Sequence, residues 1–556
     1  MGLMDRRIGL LFAAFLCFLV LAFARAGWLG VVRADDLRAA AAAQQQEILQ
    51  VPAPRGTITD SHDTVLGVSE PATTVTATPY LVENPERTAR RLAPLLRRPQ
   101  ADLLRELSRR DTGFVYLARR VPAERARRVR KAGIAGLGFV DEYSRTYPRS
   151  WNAAQVIGTV GDEGKGLAGI EYSLEEQLRG RDGRRQVLHD ARREVVSMRE
   201  PRPARAGQDV KLTLDSVIQE RTEEVLAEIG RDYSPKGATA VVMDPRDSSI
   251  LALANWPRVD ANRLGDAPDF AKQNRAVAAA YEPGSTFKAF TVAAALEDGK
   301  VTPTTTFGLP PTLQVADRTI KESHDRGYVT LSTAQILAES SNVGAVRIGQ
   351  RLTRERFHHW LGRFGFGRPT GVDLPGEASG IVLPLDKYSD STMGNLPIGQ
   401  GIAVTPMQMA AAYAAIANGG VLRAPHVVGA VGGRATPKPA GERILAPKTA
   451  ASVSRMLEGV FGAGGTASGA QVGGYDVAGK TGTAEKPDPV NGGYQEGKYV
   501  ASFVGFAPVK DPRLLVTVMV DEPRGDIYGG TIAAPAFKEI TSFALNYLGI
   551  PPVASE

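Results

Sequence analysis

Cysteine is almost missing from these 556 residues. The single Cys17 lies inside an apolar run, which excludes an internal disulfide and any cysteine-based metal site. Histidine is nearly as scarce. His62, His189, His324, His358, His359 and His426 show no metal-ligand spacing, so no metal and no other cofactor is expected. Apolar and charged shares of 43% and 23% carry no bias toward disorder. The net charge of +7 gathers in segments such as ERARRVRK (124–131). No nucleic-acid motif accompanies the charge, so these segments read as solvated helix faces and no nucleic-acid partner is expected. The length exceeds what one core holds, so two or more domains are expected.

One long hydrophobic run is present. Ile8 to Ala24 is uncharged and long enough for a short membrane-spanning helix, with Trp28 where an interfacial aromatic would sit. Arg6 and Arg7 precede it, which places the N-terminus in the cytoplasm and the rest of the chain outside. Ala22-Phe23-Ala24 also fits a signal-peptide cleavage pattern, but the run exceeds a usual signal core, so a retained single-pass anchor over 8–26 is the favoured expectation. Ala34 to Gln50 is helix-forming and predicts a juxtamembrane helix within 27–50, ended by Pro52 and Pro54.

From 51 to 205 short β-rich runs alternate with Arg-rich amphipathic helices, closing in the charged linker REPRPARAGQD. A second domain, 206–551, opens with a strand at VKLTLD and a helix from about Val217 to Ile229. The runs Thr239–Met243 and Ile250–Ala254 predict a hairpin. A long, mostly helical region follows to about Phe461, before strand signals at 475–485, 499–508 and 514–522 and a one-faced helix at 536–548. Strands at both ends with helices between imply an antiparallel sheet covered by helices, an α+β domain.

Within that domain, AYEPGSTFKAF places Ser285 at the start of a helix with Lys288 one turn later on the same face. An amine there can take a proton from a hydroxyl. Taken alone, such a pair is more often an N-cap and a solvated lysine. Two further patterns lie downstream: Ser340-Ser341-Asn342 in the helical region, and Lys480-Thr481-Gly482-Thr483 on an expected strand. Ser-x-Asn is weak, since Ser150-Trp151-Asn152 also satisfies it. Ser-x-x-Lys and Lys-Thr-Gly each occur once, and the three in this order are a signature shared by class A β-lactamases and penicillin-binding proteins.

The chain from about Val51 to Pro551 resembles a class B penicillin-binding protein, the monofunctional peptidoglycan D,D-transpeptidase family. The resemblance includes PRGTITD (54–60), RTYPRSWNAAQVIGTVG (145–161), GLAGIE (166–171), FGFGRPTGVDLPGE (364–377), IGQGIAVTPMQMA (398–410) and SFVGFAP (502–508). The closing pattern DEPRGDIYGG...APAFKEI is closest to the septal, FtsI-like branch. Two departures stand out. Asp60-Ser61-His62-Asp63 replaces a common Asp-Arg-Asn-Gly, and Ser150 replaces a usual glycine after Tyr-Pro.

The resemblance implies a transpeptidase domain of penicillin-binding fold at 206–551 behind a pedestal, dimerisation-like domain at 51–205. It implies Ser285 as nucleophile, Lys288 as base, Ser340 as a proton relay bridging Lys288 and Lys480, and Asn342 as the holder of the substrate amide. The backbone N–H groups of Ser285 and Thr483 would form the oxyanion hole. Lys480, Thr481 and Thr483 would meet the terminal carboxylate, with the peptide lying along the strand at Gly482. Expected partners are stem peptides ending in D-Ala-D-Ala, β-lactam antibiotics, an FtsW-like polytopic glycosyltransferase and other division proteins. The expected reaction is wall cross-linking with release of D-alanine, in septal synthesis.

Elongation duty and a β-lactamase or D,D-carboxypeptidase are the alternatives. The hydrolytic readings need a deacylating base that the sequence does not offer. A β-lactam sensor would need an output module that the residues before Ile8 cannot form. Glu282, Pro283 and Gly284 read as shaping the turn, Asp373 and Glu377 as structural, and Tyr494 and Tyr499 as flanking the cleft or simply belonging to the sheet.

Overall fold

The computed structural model of the protein describes residues 2–37, 46–189 and 195–552. The chain divides into two units, one of residues 1–54, 71–143 and 180–207, the other of 55–70, 144–179 and 208–556.

The first unit begins with the helix Gly2–Gly27, which continues as a π-helical turn to Val32. Over Arg6–Val32 it is long and apolar enough to cross a membrane, and Phe12, Phe15, Phe18 and Phe23 on it are exposed. The helix expected over 34–50 is not what forms at its end. Gln46–Val51 is a strand, antiparallel to Gly183–His189, while residues 38–45 lie outside the described residues. Strand pairing there overrides local helix propensity, which is only a weak prior. The same sheet takes in Val195–Arg202, so the expected linker is partly strand. The helices Pro85–Leu96, Gln100–Leu107 and Ala123–Lys131 close a small core of Val75, Leu92, Leu103, Leu117 and Val129.

The second unit is built on a five-stranded sheet in the order Ser249–Trp256, Gly237–Asp244, Leu514–Asp521, Tyr494–Ala507, Ala478–Pro487, antiparallel throughout. Strand alternation divides the side chains between two cores. Val516, Val518 and Val520 face one core with Phe537 and Ile540 of the helix Ala533–Tyr547 and Leu226 of the helix Ser216–Tyr233. Leu515 and Met519 face the other, with Phe290 and Val292 of the helix Lys288–Glu297 and Met407 of the helix Pro406–Ala417. The domain is α+β, a sheet between helical layers, with the Lys-Thr-Gly strand at its edge.

The region expected to be mostly helical also holds short strand pairs, Thr306–Leu309 with Val329–Ser332, Thr312–Val315 with Arg318–Lys321, Val421–Arg423 with Gly441–Arg443 and Val428–Val431 with Arg434–Ala435. Such strands are too short to show a period in the sequence.

Several quoted family segments meet inside this unit. Glu171, fully buried, accepts from Arg55 Nε at 2.5 Å, Arg145 Nε at 2.6 Å and the Tyr147 hydroxyl at 3.2 Å. Both departures from glycine fall on left-handed backbone, Asp63 at φ 64° and Ser150 at φ 44°. The turns persist there with residues that pay for the conformation.

Candidate active site

Gly284 starts the site. Its φ is 52°, and a β-carbon on it would lie 3.1 Å from Ala484 Cβ and 3.3 Å from the Thr483 carbonyl oxygen. The nucleophile turn therefore presses directly on the Lys-Thr-Gly strand. After it comes a 3-10 turn, Gly284–Phe287, and then the α-helix Lys288–Glu297. In a 3-10 turn residues three apart eclipse, which stacks Ser285 and Lys288 on one side. Phe287 and Phe290 anchor the turn among Phe364, Phe366 and Tyr413 at ring-centroid distances of 4.9–5.3 Å, each such aromatic pair contributing about 1 kcal/mol beyond its buried area. The Tyr413 hydroxyl also donates to Thr286 O at 2.6 Å.

Ser340 sits between two helices. The helix Thr333–Ala338 opens with a capping box of Ser332 and Gln335 and ends with Ser340 at φ 63°, whose successor Ser341 donates its N–H to Ile336 O at 3.0 Å. This is a helix C-terminal closure that usually calls on glycine. The left-handed backbone turns both the carbonyl and the hydroxyl of Ser340 toward Lys288. Lys288 Nζ donates to Ser340 O at 2.5 Å and Asn342 Oδ1 at 2.6 Å, with Ser340 Oγ at 3.3 Å. The Ser285 hydroxyl is not among the amine's partners.

Lys288 is 1% exposed. Burial pushes its pKa down to about 7, with the Glu322 carboxylate raising it and the Arg326 guanidinium lowering it. A neutral amine carries two N–H donors and a lone pair. The two short contacts to carbonyl-type oxygens use the donors and leave the lone pair to a hydroxyl.

Lys480 is fully buried on the edge strand and contacts Thr481 O and Oγ1, each at 3.3 Å. Burial drives its pKa well down, and the charge of Lys288 lowers it further. Repulsion between the two lysines is mutual, so Lys480 opposes the charged form of Lys288 as the Arg326 guanidinium does. Ser340 does not bridge the lysines by hydrogen bonds: of the two it bonds Lys288 alone.

Thr481 Oγ1 lies 2.7 Å from Thr466 Oγ1, and Thr483 Oγ1 accepts from Gly529 N at 3.0 Å. A β-carbon on Gly482 would come within 2.4 Å of Ser502 Oγ, 2.9 Å of Thr286 Cγ2 and 3.0 Å of Pro283 O. Only glycine lets strand and turn meet so closely. The N–H and C=O of one strand residue point the same way, so Thr483 N–H shares the free edge that its carbonyl turns toward Gly284. Ser285 N–H lies in the first turn of its helix, where amides lack intrahelical acceptors.

The eight residues singled out from the sequence thus lie along one turn, one loop and one strand edge of a single unit. Asn342 Nδ2 is taken by Lys321 O at 2.8 Å. Three contributors escaped sequence reading, Glu322 and Arg326 behind the Ser-Ser-Asn loop and Thr466 beside Thr481, and a fourth, Glu282, was read only as shaping the turn. The Glu282 carboxylate accepts from Gly401 N at 2.9 Å and the Tyr494 hydroxyl at 3.0 Å. Of these only Glu282, next to the nucleophile motif, carried a local signal.

Residues 238–542 match the family model for the penicillin binding protein transpeptidase domain, and residues 50–212 that for the penicillin-binding protein dimerisation domain. The chain is 35% identical over 508 residues to the probable peptidoglycan D,D-transpeptidase PenA of Neisseria meningitidis, covering 90% of this chain and 86% of that protein. Against penicillin-binding protein PbpB of Mycolicibacterium smegmatis identity is 34% over 585 residues, covering 97% and 90%. The crystal structure of penicillin-binding protein 3 from Mycobacterium tuberculosis complexed with ampicillin aligns with a TM-score of 0.71 at 29% identity, covering 91% of this chain and 98% of that one. The chain belongs to the class B penicillin-binding proteins.

Proposed function

We propose that this protein is a serine-type peptidoglycan D,D-transpeptidase. Ser285 Oγ attacks the carbonyl between the last two D-alanines of a stem peptide, and its proton passes to Lys288 Nζ. The oxyanion that develops is held by the N–H groups of Ser285 and Thr483, each such donor contributing about 3 kcal/mol to lowering the barrier. Ser340 hands the proton on to the departing D-alanine amine. Thr481, Thr483 and Lys480 receive the terminal carboxylate, and the peptide pairs along the strand at Gly482. An amine from a neighbouring stem then attacks the ester, forming the cross-link and returning Ser285 to a hydroxyl.

The observation that carries this reading is the buried Lys288 amine, held by Ser340 and Asn342 one turn from Ser285. Asn342 must release Lys321 O or Lys288 to take a substrate amide, a rearrangement that substrate arrival would drive.

We place the protein in the cell membrane through its N-terminal helix, with the catalytic unit outside and septal wall synthesis as its duty. β-Lactams acylate Ser285. An FtsW-like glycosyltransferase and other division proteins are its partners. A fluorescent penicillin should label wild type and not Ser285→Ala, and the label should gather at the division site. Labelling that survives Ser285→Ala would end the nucleophile assignment, and label spread along the side wall would end the septal one.

A further inference from the structure

Glu322 stands outside every motif named above, yet it ties the middle one together. It directly follows the strand Arg318–Lys321, and its side chain is 6% exposed. Oε1 accepts from the Ser341 hydroxyl at 2.6 Å and from Arg326 at 2.8 Å, and Oε2 accepts the backbone N–H of Asn342 at 2.7 Å. The carbonyl of its neighbour Lys321 takes Asn342 Nδ2 at 2.8 Å. The peptide from Ser341 into Asn342 is thus gripped from behind.

The front of the same three-residue loop supplies all the oxygens that contact Lys288 Nζ: Ser340 O, Ser340 Oγ and Asn342 Oδ1. A small rotation of the loop would withdraw them together. Because Ser340 holds a left-handed conformation that an unrestrained serine seldom keeps, the loop needs a fixed anchor. Glu322 is that anchor. Charge points the same way. The ionisable groups that act on the Lys288 amine are Glu322, Arg326 and Lys480, and Arg326 itself is shared with Glu339 at 3.2 Å.

We propose that Glu322 is a positioning residue for acyl transfer: it locks the Ser340–Asn342 loop against Lys288 and, opposed by Arg326, sets the proton affinity of that amine. The inference rests on Ser285 as nucleophile and Lys288 as its base. Carboxylate and guanidinium act on the amine with opposite sign, which separates this role from mere support of the fold.

The test is the acylation rate of the full chain by a fluorescent penicillin between pH 5.5 and 9, for wild type, Glu322→Gln, Arg326→Ala and Ser341→Ala, each checked for an intact melting transition. Removing the carboxylate favours the neutral amine, so Glu322→Gln should move the acid limb down by about one pH unit and lower the plateau roughly tenfold. Arg326→Ala should move the limb up. Ser341→Ala deletes the hydrogen bond to Glu322 and the one accepted from Gly344 N, but no charge, so its plateau should fall with the limb in place.

Limbs that stay put, or that shift the same way in the Glu322 and Arg326 variants, overturn the proposal. Should Glu322→Gln fail to fold, an unmoved limb in Arg326→Ala overturns it alone. A wild type that takes no label, or a label that survives Ser285→Ala, defeats the nucleophile reading itself and this inference with it.

Discussion

Replacing Lys288 with methionine should remove that lysine's share of the pH dependence of stability. The lysine is fully enclosed, and its pKa falls from the ordinary 10.5 to about 7. In the unfolded chain the ordinary value returns. Between the two values the unfolded state binds more protons than the folded one, so the lysine's contribution to stability rises with pH across that window and is flat below it. From pH 7 to pH 9 the rise amounts to about 2 kcal/mol, and the whole window is worth about 5 kcal/mol. Methionine fills similar space without titrating. The stability difference between wild type and Lys288→Met should therefore shift toward wild type by about 2 kcal/mol over those two pH units.

Urea denaturation read by tryptophan fluorescence measures this directly, because Trp151, Trp256 and Trp360, three of the four tryptophans, lie in the unit that carries the site. Wild-type acylation by penicillin should in parallel rise through a limb near pH 7, and the variant should not acylate. Denaturation midpoints that move together with pH, or an acylation limb near pH 10, would show that the amine is charged as in water and would refute its role as a base.

Other consequences follow from contacts already described. Gly482→Ala drives a methyl group into Ser502, Thr286 and Pro283, so the strand must retreat from the nucleophile turn; penicillin labelling should fall at least a hundredfold and stability by about 2 kcal/mol, and normal labelling would contradict the close approach. Glu171→Ala leaves Arg145 buried without its counter-charge and Arg55 with Glu175 alone, and should cost about 3–5 kcal/mol, seen as a lowered melting midpoint. Ser150→Gly relieves a left-handed serine and should gain about 0.5–1 kcal/mol once the extra freedom of glycine in the unfolded chain is subtracted; a loss of stability would argue against strain there.

What the sequence revealed was governed by distance along the chain. Ser285 and Lys288 are three residues apart, and Lys480 to Thr483 are consecutive, so one helical turn and one strand edge express them. Glu322 and Arg326 reach the same chemistry through a loop whose composition is ordinary, and the pairing of Glu322 with Ser341 depends on a hairpin too short to announce itself. Arg55, Arg145 and Glu171 were each visible inside quoted segments, but nothing local says that three charges separated by 26 to 116 residues share one buried point. The 34–50 segment failed for the opposite reason. Its alanines and glutamines favour a helix locally, while its last residues are claimed by a strand more than 130 positions downstream.

The alternation of segments between the two units bears on how the polypeptide matures. A ribosome releases residues 55–70 and 144–179 long before the sheet strand 514–521 exists, yet Ile58, Leu66, Tyr147 and Ile157 belong to the same apolar mass as Leu515 and Met519. Those early pieces must wait, partly uncovered, for almost the entire remaining length to emerge, which slows assembly and lengthens exposure to misassociation. A gene trimmed to begin at residue 208 would encode a catalytic body missing part of its own interior. Such fragments should prove insoluble unless the two upstream stretches are supplied with them.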